Sequence, residues 1–233
     1  MSIRTERHGD VGQLWLDRPD RAHAYDRAHL DALLVAAEEL AATHRVLVIC
    51  STGERAFCGG ADLGAMEHAA PLDALELRSQ RVFTAIARLP VVTIAAVQGA
   101  AVAGGFELAL ACDLRVAGPA ARFSLPETKL GILPSAGGTT RLARLAGPSR
   151  AKEMILAGRV IDAQIALAWG IVHRIADDPR ADALAWAAEI ATRDPVALAL
   201  AKELLDATES DGALARERQA EAVLYAQRAA LRG

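Results

Sequence analysis

"VVTIAAVQGAAVAGGFELALACDLRVAG", residues 91–118, decides how this chain folds. Val91–Gly99 is apolar, partly β-branched and stops on glycine, the pattern of a buried strand. "GGFELALA" reads as a helix opening on Gly104-Gly105, and "DLRVAG", Asp113–Gly118, as a further strand. Within this apolar run stands one carboxylate, Glu107. Its helical neighbours at three and four positions, Gly104, Leu110 and Ala111, offer it no charge. Burying an ionised carboxylate alone is costly. Glu107 therefore either pairs with a distant arginine or carries a raised pKa suited to proton transfer near neutral pH.

The same plan extends outward. "VGQLWLD", Val11–Asp17, alternates like a strand and stops at Arg18-Pro19. Residues 27–42 are helical in pattern, with Leu30, Leu33, Leu34, Ala37 and Leu40 on one face, and "VLVIC", Val46–Cys50, is a short buried strand. Strand, helix, strand reads as a right-handed crossover with parallel pairing. "STGERAFCGGAD" is read as a loop and residues 71–89 as a helix; after Gly131 the pattern is mostly helical, punctuated by Gly147-Pro148, Gly158 and Pro195. The expected class is α/β: a core over residues 1–190 and a helical C-terminal region over 191–233. No internal repeat, low-complexity tract or flexible linker interrupts it.

Composition narrows the function. The 233 residues are 52% hydrophobic, enough for a sizeable core. A net charge of -3 without a long basic run argues against nucleic acid or anionic membranes as partners. "MSIRTERHGD" lacks the apolar region of a secretory signal, and no long apolar stretch has membrane-span character, so a cytoplasmic location is expected. Cys50, Cys58 and Cys112 form no CxxC pair and are expected as small buried hydrophobes. The histidines at 8, 23, 29, 44, 68 and 173 are too dispersed for a metal site and are expected on the surface or in loops. GxGxxG, GxxxxGK[ST] and GxSxG signatures are all missing.

Three stretches share one logic. "AFCGGADL", Ala56–Leu63, runs strand, glycine pair, helix start near Ala61; "GGFEL", Gly104–Leu108, repeats the plan. A helix start leaves N–H groups unpaired and carries partial positive charge. Two such starts converging would hold a developing oxyanion, and glycine admits a ligand atom close to the backbone. Each is also compatible with an ordinary strand-to-helix turn. In "SLPETKLGILPSAGG", Ser124–Gly138, Pro126 starts a turn, Glu127 follows, and Ala136-Gly137-Gly138 open another helix. Glu127 is either a carboxylate at a helix start or the second member of an acid–base pair with Glu107.

At these residues the sequence resembles the enoyl-CoA hydratase (crotonase) family. The resemblance runs from about Val11 to Leu205 and is carried by "RPDRAHA", "FCGGADL", "AAVQGAAVAGGFELALACDLRVAG", "FSLPETKLGILPSAGGTTRL" and "RVIDAQIALAWGIVHRI", in family order and spacing. It implies a crotonase-like spiral of ββα turns with a helical C-terminal region that builds a homotrimer or a dimer of trimers. It also implies an acyl-CoA thioester ligand, its oxygen held between the N–H groups of Ala61 and Gly104, and catalysis by Glu107 and Glu127. No metal or redox cofactor is implied, CoA being part of the substrate. Arg21, Ala22 and Ala24 match the segment that contacts CoA, Arg21 with a phosphate within reach; Asp62, Leu63 and Gly64 match the pantetheine end. Residues 66–88 are expected to bound the acyl tail, and the amphipathic 212–228 stretch to form a subunit contact. With both glutamate positions filled, the resemblance implies hydration of a 2-enoyl-CoA. The alternatives are a Δ3–Δ2-enoyl-CoA isomerase, which commonly keeps only the Glu127-type residue, and a non-catalytic acyl-CoA binder. Departures are Asp17-Arg18-Pro19 and His23 where many members carry Asn, and Ser135 where many hydratases have Gly, near the expected water. Typical members also continue with a further helix and basic tail that help close the CoA site; the shorter end here bears on CoA affinity and oligomer geometry.

Overall fold

The computed structural model describes residues 2–62, 64 and 78–206. Leu63, the 66–77 part of the expected acyl-facing stretch and the 212–228 stretch lie outside the described residues. β1 (Ile3–His8) and β2 (Val11–Leu16) form an antiparallel hairpin, and α1 (Arg27–Ala41) leads to β3 (Val46–Ser51) and β4 (Ala56–Cys58). α2 (Arg78–Ala87), β5 (Val92–Val97), β6 (Ala100–Val102), α3 (Gly104–Ala111), β7 (Leu114–Ala117) and β8 (Arg122–Ser124) follow. A 3-10 turn (Glu127–Leu130) then precedes α4 (Gly138–Ala146), α5 (Pro148–Leu156), β9 (Ile161–Asp162) and α6 (Ala163–Ala168). β10 (Arg174–Ile175), α7 (Pro179–Ala191) and α8 (Pro195–Asp206) complete the described elements.

The strands divide between a six-stranded sheet, β1-β2-β3-β5-β7-β10, and a four-stranded sheet, β4-β6-β8-β9. From β3 to β8 each consecutive strand pair gives its first member to the larger sheet and its second to the smaller. β3, β5 and β7 pair in parallel, as do β4, β6 and β8. That alternation is a ββα spiral. Its consequence for the site is direct: the ends of β4, β6 and β8 lie side by side, and each leads into a turn carrying candidate residues.

Local chemistry supports these elements. Asp26 caps α1 by accepting from the His29 N–H at 3.0 Å, and Asp178 caps α7 ahead of Pro179. Leu30, Leu33, Ala37 and Leu40 of α1 are buried as the periodicity predicts. β3 is buried along its whole length because both faces of the sheet are covered. Leu47 and Ile49 join the core shared with α1 and α3; Val46, Val48 and Cys50 meet Ala183, Ala187 and Ile190 of α7. α7 therefore packs with the sheet, and residue 190 falls at its penultimate position.

The structure corrects the sequence reading at several points. Within the stretch read as the 51–62 loop, Ala56–Cys58 is β4, the strand expected ahead of the glycine pair, and neither β6 nor the charged edge strand β1 is visible in the hydrophobic pattern. His23 and His44 lie in loops, as expected, but are buried there. All three cysteines are free and buried, as expected.

Candidate active site

The start of α3 is built by close backbone approach. Its cap, Ala103, has φ +51°, and Gly104 is its first residue, so the Gly104 N–H has no acceptor within its own helix. A Cβ on Gly105 would lie 2.0 Å from the Cys58 carbonyl oxygen, at the end of β4. Gly60, at φ +93°, is so close that a Cβ there would be 3.1 Å from the Gly104 nitrogen. Ala61 is held beside it by a parallel bridge to Tyr25, with Tyr25 N–H donating to Gly60 O (2.9 Å) and Asp62 N–H to Tyr25 O (2.8 Å). The two backbone stretches that carry Ala61 and Gly104 thus meet at one place. Ala61 is extended in its bridge and is not itself the start of a helix. Gly105→Ala is expected to force β4 and α3 apart, lowering stability by about 1–3 kcal/mol as overpacking does. An unchanged thermal midpoint in that variant would refute this account of the contact.

Glu107 lies one turn into α3 and is 3% exposed. Its Oε1 accepts from the N–H groups of Ala136 (2.7 Å) and Gly138 (2.8 Å), the latter the first residue of α4. Arg141, one turn further along α4, adds an attractive charge. Burial nevertheless outweighs these interactions and raises the Glu107 pKa. The carboxylate is thus neither bare nor in a simple ion pair; an opposing helix start holds it. Gly138 has no space for a side chain, since its Cβ would sit 2.8 Å from Glu107 Oε1.

Glu127 heads the 3-10 turn after Pro126 and is 5% exposed. Its Oε2 is buried with no hydrogen-bond partner among the described residues. Burial pushes its pKa up to about 7, and the nearby charge of Glu107 adds to the rise. Two buried carboxyl groups that sense one another, one tethered by N–H donors and one with an open oxygen, form an unequal pair able to exchange a proton.

The 18–25 loop is stitched to the turn after β4. Gly59 N–H donates to Ala22 O (2.8 Å), and Arg18 Nη1 donates to Ala24 O (2.8 Å). Ala22 and His23 both hold positive φ (49° and 57°). The His23 ring locks that shape: Nδ1 accepts from Arg18 N–H (3.0 Å) and Nε2 donates to Thr52 O (2.9 Å). Burial lowers its pKa, keeping the ring neutral in this arrangement. Arg21 is exposed and donates to Asp62 Oδ2 at 2.9 Å, while Asp62 Oδ1 accepts from Gly64 N–H. Ser135 is exposed, its carbonyl accepting from Gln80 Nε2 (2.9 Å), so it borders the Glu107 tether without entering the buried pair. A separate cavity of about 520 Å³ lies at the far end of α3, lined by Ala111, Arg141, Lys202 and Leu205 among others, and touches neither glutamate.

Residues 6–230 match the family model described as enoyl-CoA hydratase/isomerase. The chain is 42% identical over 197 residues to "Probable enoyl-CoA hydratase 2, mitochondrial" of Arabidopsis thaliana, covering 82% of this chain and 65% of that relative. It is 39% identical over 206 residues to the mitochondrial enoyl-CoA hydratase domain-containing protein 2 of Bos taurus, covering 84% of this chain and 70% of the relative. The crystal structure of enoyl-CoA hydratase from Bacillus anthracis superposes with a TM-score of 0.90 at 35% identity, covering 95% of this chain and 90% of that one. A Thermobifida fusca protein assigned to the enoyl-CoA hydratases and solved in complex with CoA superposes at 0.88 with 30% identity, covering 98% and 94%.

Proposed function

Because the chain belongs to the enoyl-CoA hydratase/isomerase family, we propose that it hydrates a trans-2-enoyl-CoA to the 3-hydroxyacyl-CoA. The observation that carries this reading is the unequal carboxyl pair. Glu107 is tethered, Glu127 carries an open buried oxygen and senses the Glu107 charge, and Glu107 lies on the helix that Gly104 opens. The thioester oxygen sits between the N–H groups of Ala61 and Gly104, which stabilise the enolate as charge develops. Water is held between Glu107 and Glu127; Glu107 takes its proton as the oxygen bonds to C3. Glu127, protonated beforehand, delivers a proton to C2 as the enolate collapses. Water's proton ends on Glu107 and the Glu127 proton on C2; passage of a proton from Glu107 to Glu127 restores the pair, so no net proton is taken up, and the reaction requires no metal or redox cofactor.

Arg21, Ala22, Ala24, Asp62, Gly64 and Ser135 are assigned to the CoA and water-facing rim on the same reading. Its oligomer is a homotrimer or dimer of trimers; Leu130, Leu133 and Leu156, all exposed, supply apolar surface for subunit contact. Among the described residues no helix is long and apolar enough to cross a membrane. The free buried cysteines suit a reducing compartment, taken here as the cytoplasm.

A second reading, Δ3–Δ2 isomerisation by Glu127 alone, is favoured by one fact: Glu107 spends an oxygen on the Ala136 and Gly138 N–H groups. Crotonoyl-CoA and a 3-enoyl-CoA separate the two. Loss of the conjugated absorbance with 3-hydroxybutyryl-CoA identified by mass is the expected result. Conversion of the 3-enoyl-CoA to the 2-enoyl isomer without hydration would replace this reading with the second.

A further inference from the structure

A third polar group stands at the place where Ala61 and Gly104 meet. Tyr25 directly follows Ala24, and its main chain is the strand that holds Ala61. Its ring packs edge-on against Phe83 of α2, with centroids 5.7 Å apart and planes at 89°. Its hydroxyl ends against Gly104, where even a Cβ would be 1.8 Å from the phenol oxygen. Gly104 is therefore glycine for the sake of this hydroxyl as well as for the helix start. Ser79 hydrogen-bonds the same hydroxyl, which helps to fix its place. Burial, together with the neighbouring Cys58, Glu107 and Glu127, raises the phenol pKa well above 10. The hydroxyl keeps its proton.

We propose that the Tyr25 hydroxyl is a third donor of the oxyanion site, hydrogen-bonding the thioester oxygen beside the N–H groups of Ala61 and Gly104. The inference rests on the acyl-CoA reading above. The ring is fixed by Phe83 and the main chain by Ala61, so the donor costs little to organise when the charge forms. Its main-chain half aligns one backbone donor while its side chain reaches the other. Both halves serve the same oxygen.

Tyr25→Phe separates the hydroxyl from the rest, keeping the ring on Phe83 and the bridge to Ala61. The expected result is a fall in kcat for crotonoyl-CoA of about ten- to a hundredfold, at the low end for an oxyanion donor, with KM changed far less. A second readout follows polarisation directly. Bound 2,4-hexadienoyl-CoA should shift its absorbance to the red on the wild-type protein and shift less on Tyr25→Phe. A kcat within twofold and an equal red shift would make the hydroxyl a packing group and overturn the proposal. If the wild type hydrates no enoyl-CoA, the proposed function fails separately. The spectral comparison then decides the tyrosine: a shift that shrinks supports it, and equal or absent shifts overturn it.

Discussion

Glu127→Gln is expected to lower hydration of crotonoyl-CoA by about 100- to 10,000-fold, the range for loss of a positioned acid–base group. Glutamine keeps the size of the side chain and the 3-10 turn that Pro126 and Gly131 bound. It cannot hand a proton to C2. Binding of butyryl-CoA, which has no double bond to hydrate, should change little, because the backbone donors remain. On the proposed mechanism, the wild-type Glu107–Glu127 pair works while it shares one proton. With Glu127 raised to about 7, activity should fall as pH rises past that region and the pair loses the proton. Hydration has no net proton in its balance, so dehydration of the 3-hydroxyacyl-CoA must show the same alkaline limb in kcat/KM. A flat profile from pH 6 to 9, in either direction, would remove Glu127 from the proton transfer. The same shift makes a stability statement. A carboxyl raised from 4.5 when unfolded to about 7 when folded contributes stability fully below pH 4.5 and loses it as pH rises through 7. Glu127→Gln should therefore gain in thermal midpoint relative to the wild type on going from pH 5 to pH 8, because only the wild type loses stability there.

The strands of the larger sheet were legible where they are four or more apolar residues buried on both faces, as in Val46–Ser51 and Val92–Val97. Those of the smaller sheet left no periodic trace, and Ala56–Cys58 was read only from the glycine pair that follows it. Ala56–Cys58, Ala100–Val102 and Arg122–Ser124 are three residues each, too short for any period to show, and they exist because their neighbours in the spiral pair with them. β1 escaped for another reason: it is an edge strand, and "IRTERH" carries charge where an interior strand would alternate. At the site, the glycines and Glu107 announced a helix start in an apolar setting. What tethers Glu107 did not, since Ala136 and Gly138 lie about thirty positions away and contribute only their backbone. Tyr25 was missed because its hydroxyl packs against Gly104, far away in sequence, and nothing local marks it as different from a packing aromatic. The clue was available in retrospect: a phenol placed between the family-matching "RAHA" segment and α1. His23 lies in a loop, as expected, yet is buried, because two backbone groups, Arg18 N–H and Thr52 O, claim both ring nitrogens.

Arg115→Met is expected to destabilise the protein by about 4 kcal/mol, the cost of leaving two or more buried carbonyls without donors at about 1–3 kcal/mol each. Arg115 is 2% exposed, and no carboxylate faces it in hydrogen-bond contact among the described residues. Its guanidinium is shared among main-chain oxygens: Nη1 donates to Ala109 O (3.2 Å) and Cys112 O (2.5 Å), and Nε to Ile171 O (2.5 Å). Ala109 and Cys112 are the end of α3, where carbonyls are left over and the helix carries partial negative charge. The arginine lies on β7, so it ties the strand after α3 to the helix end, and Ile171 ties in the turn before β10. Burial lowers its pKa without removing the charge, because a guanidinium starts so high. Methionine fills similar volume and supplies no donor, which isolates hydrogen bonding from packing. Arg115→Lys should fall between the two, since one ammonium cannot serve carbonyls on three sides. Urea unfolding decides this: a midpoint shift with an unchanged slope is the expected form, and a loss below about 1 kcal/mol would show that water satisfies those carbonyls. The consequence for chemistry follows from the geometry of α3. Arg115 fixes the C-terminal end of an eight-residue helix whose first residue is Gly104 and whose fourth is Glu107. If the proposed function holds, loosening that end disturbs both Gly104 and Glu107, so hydration by Arg115→Met should fall at temperatures where the variant remains folded.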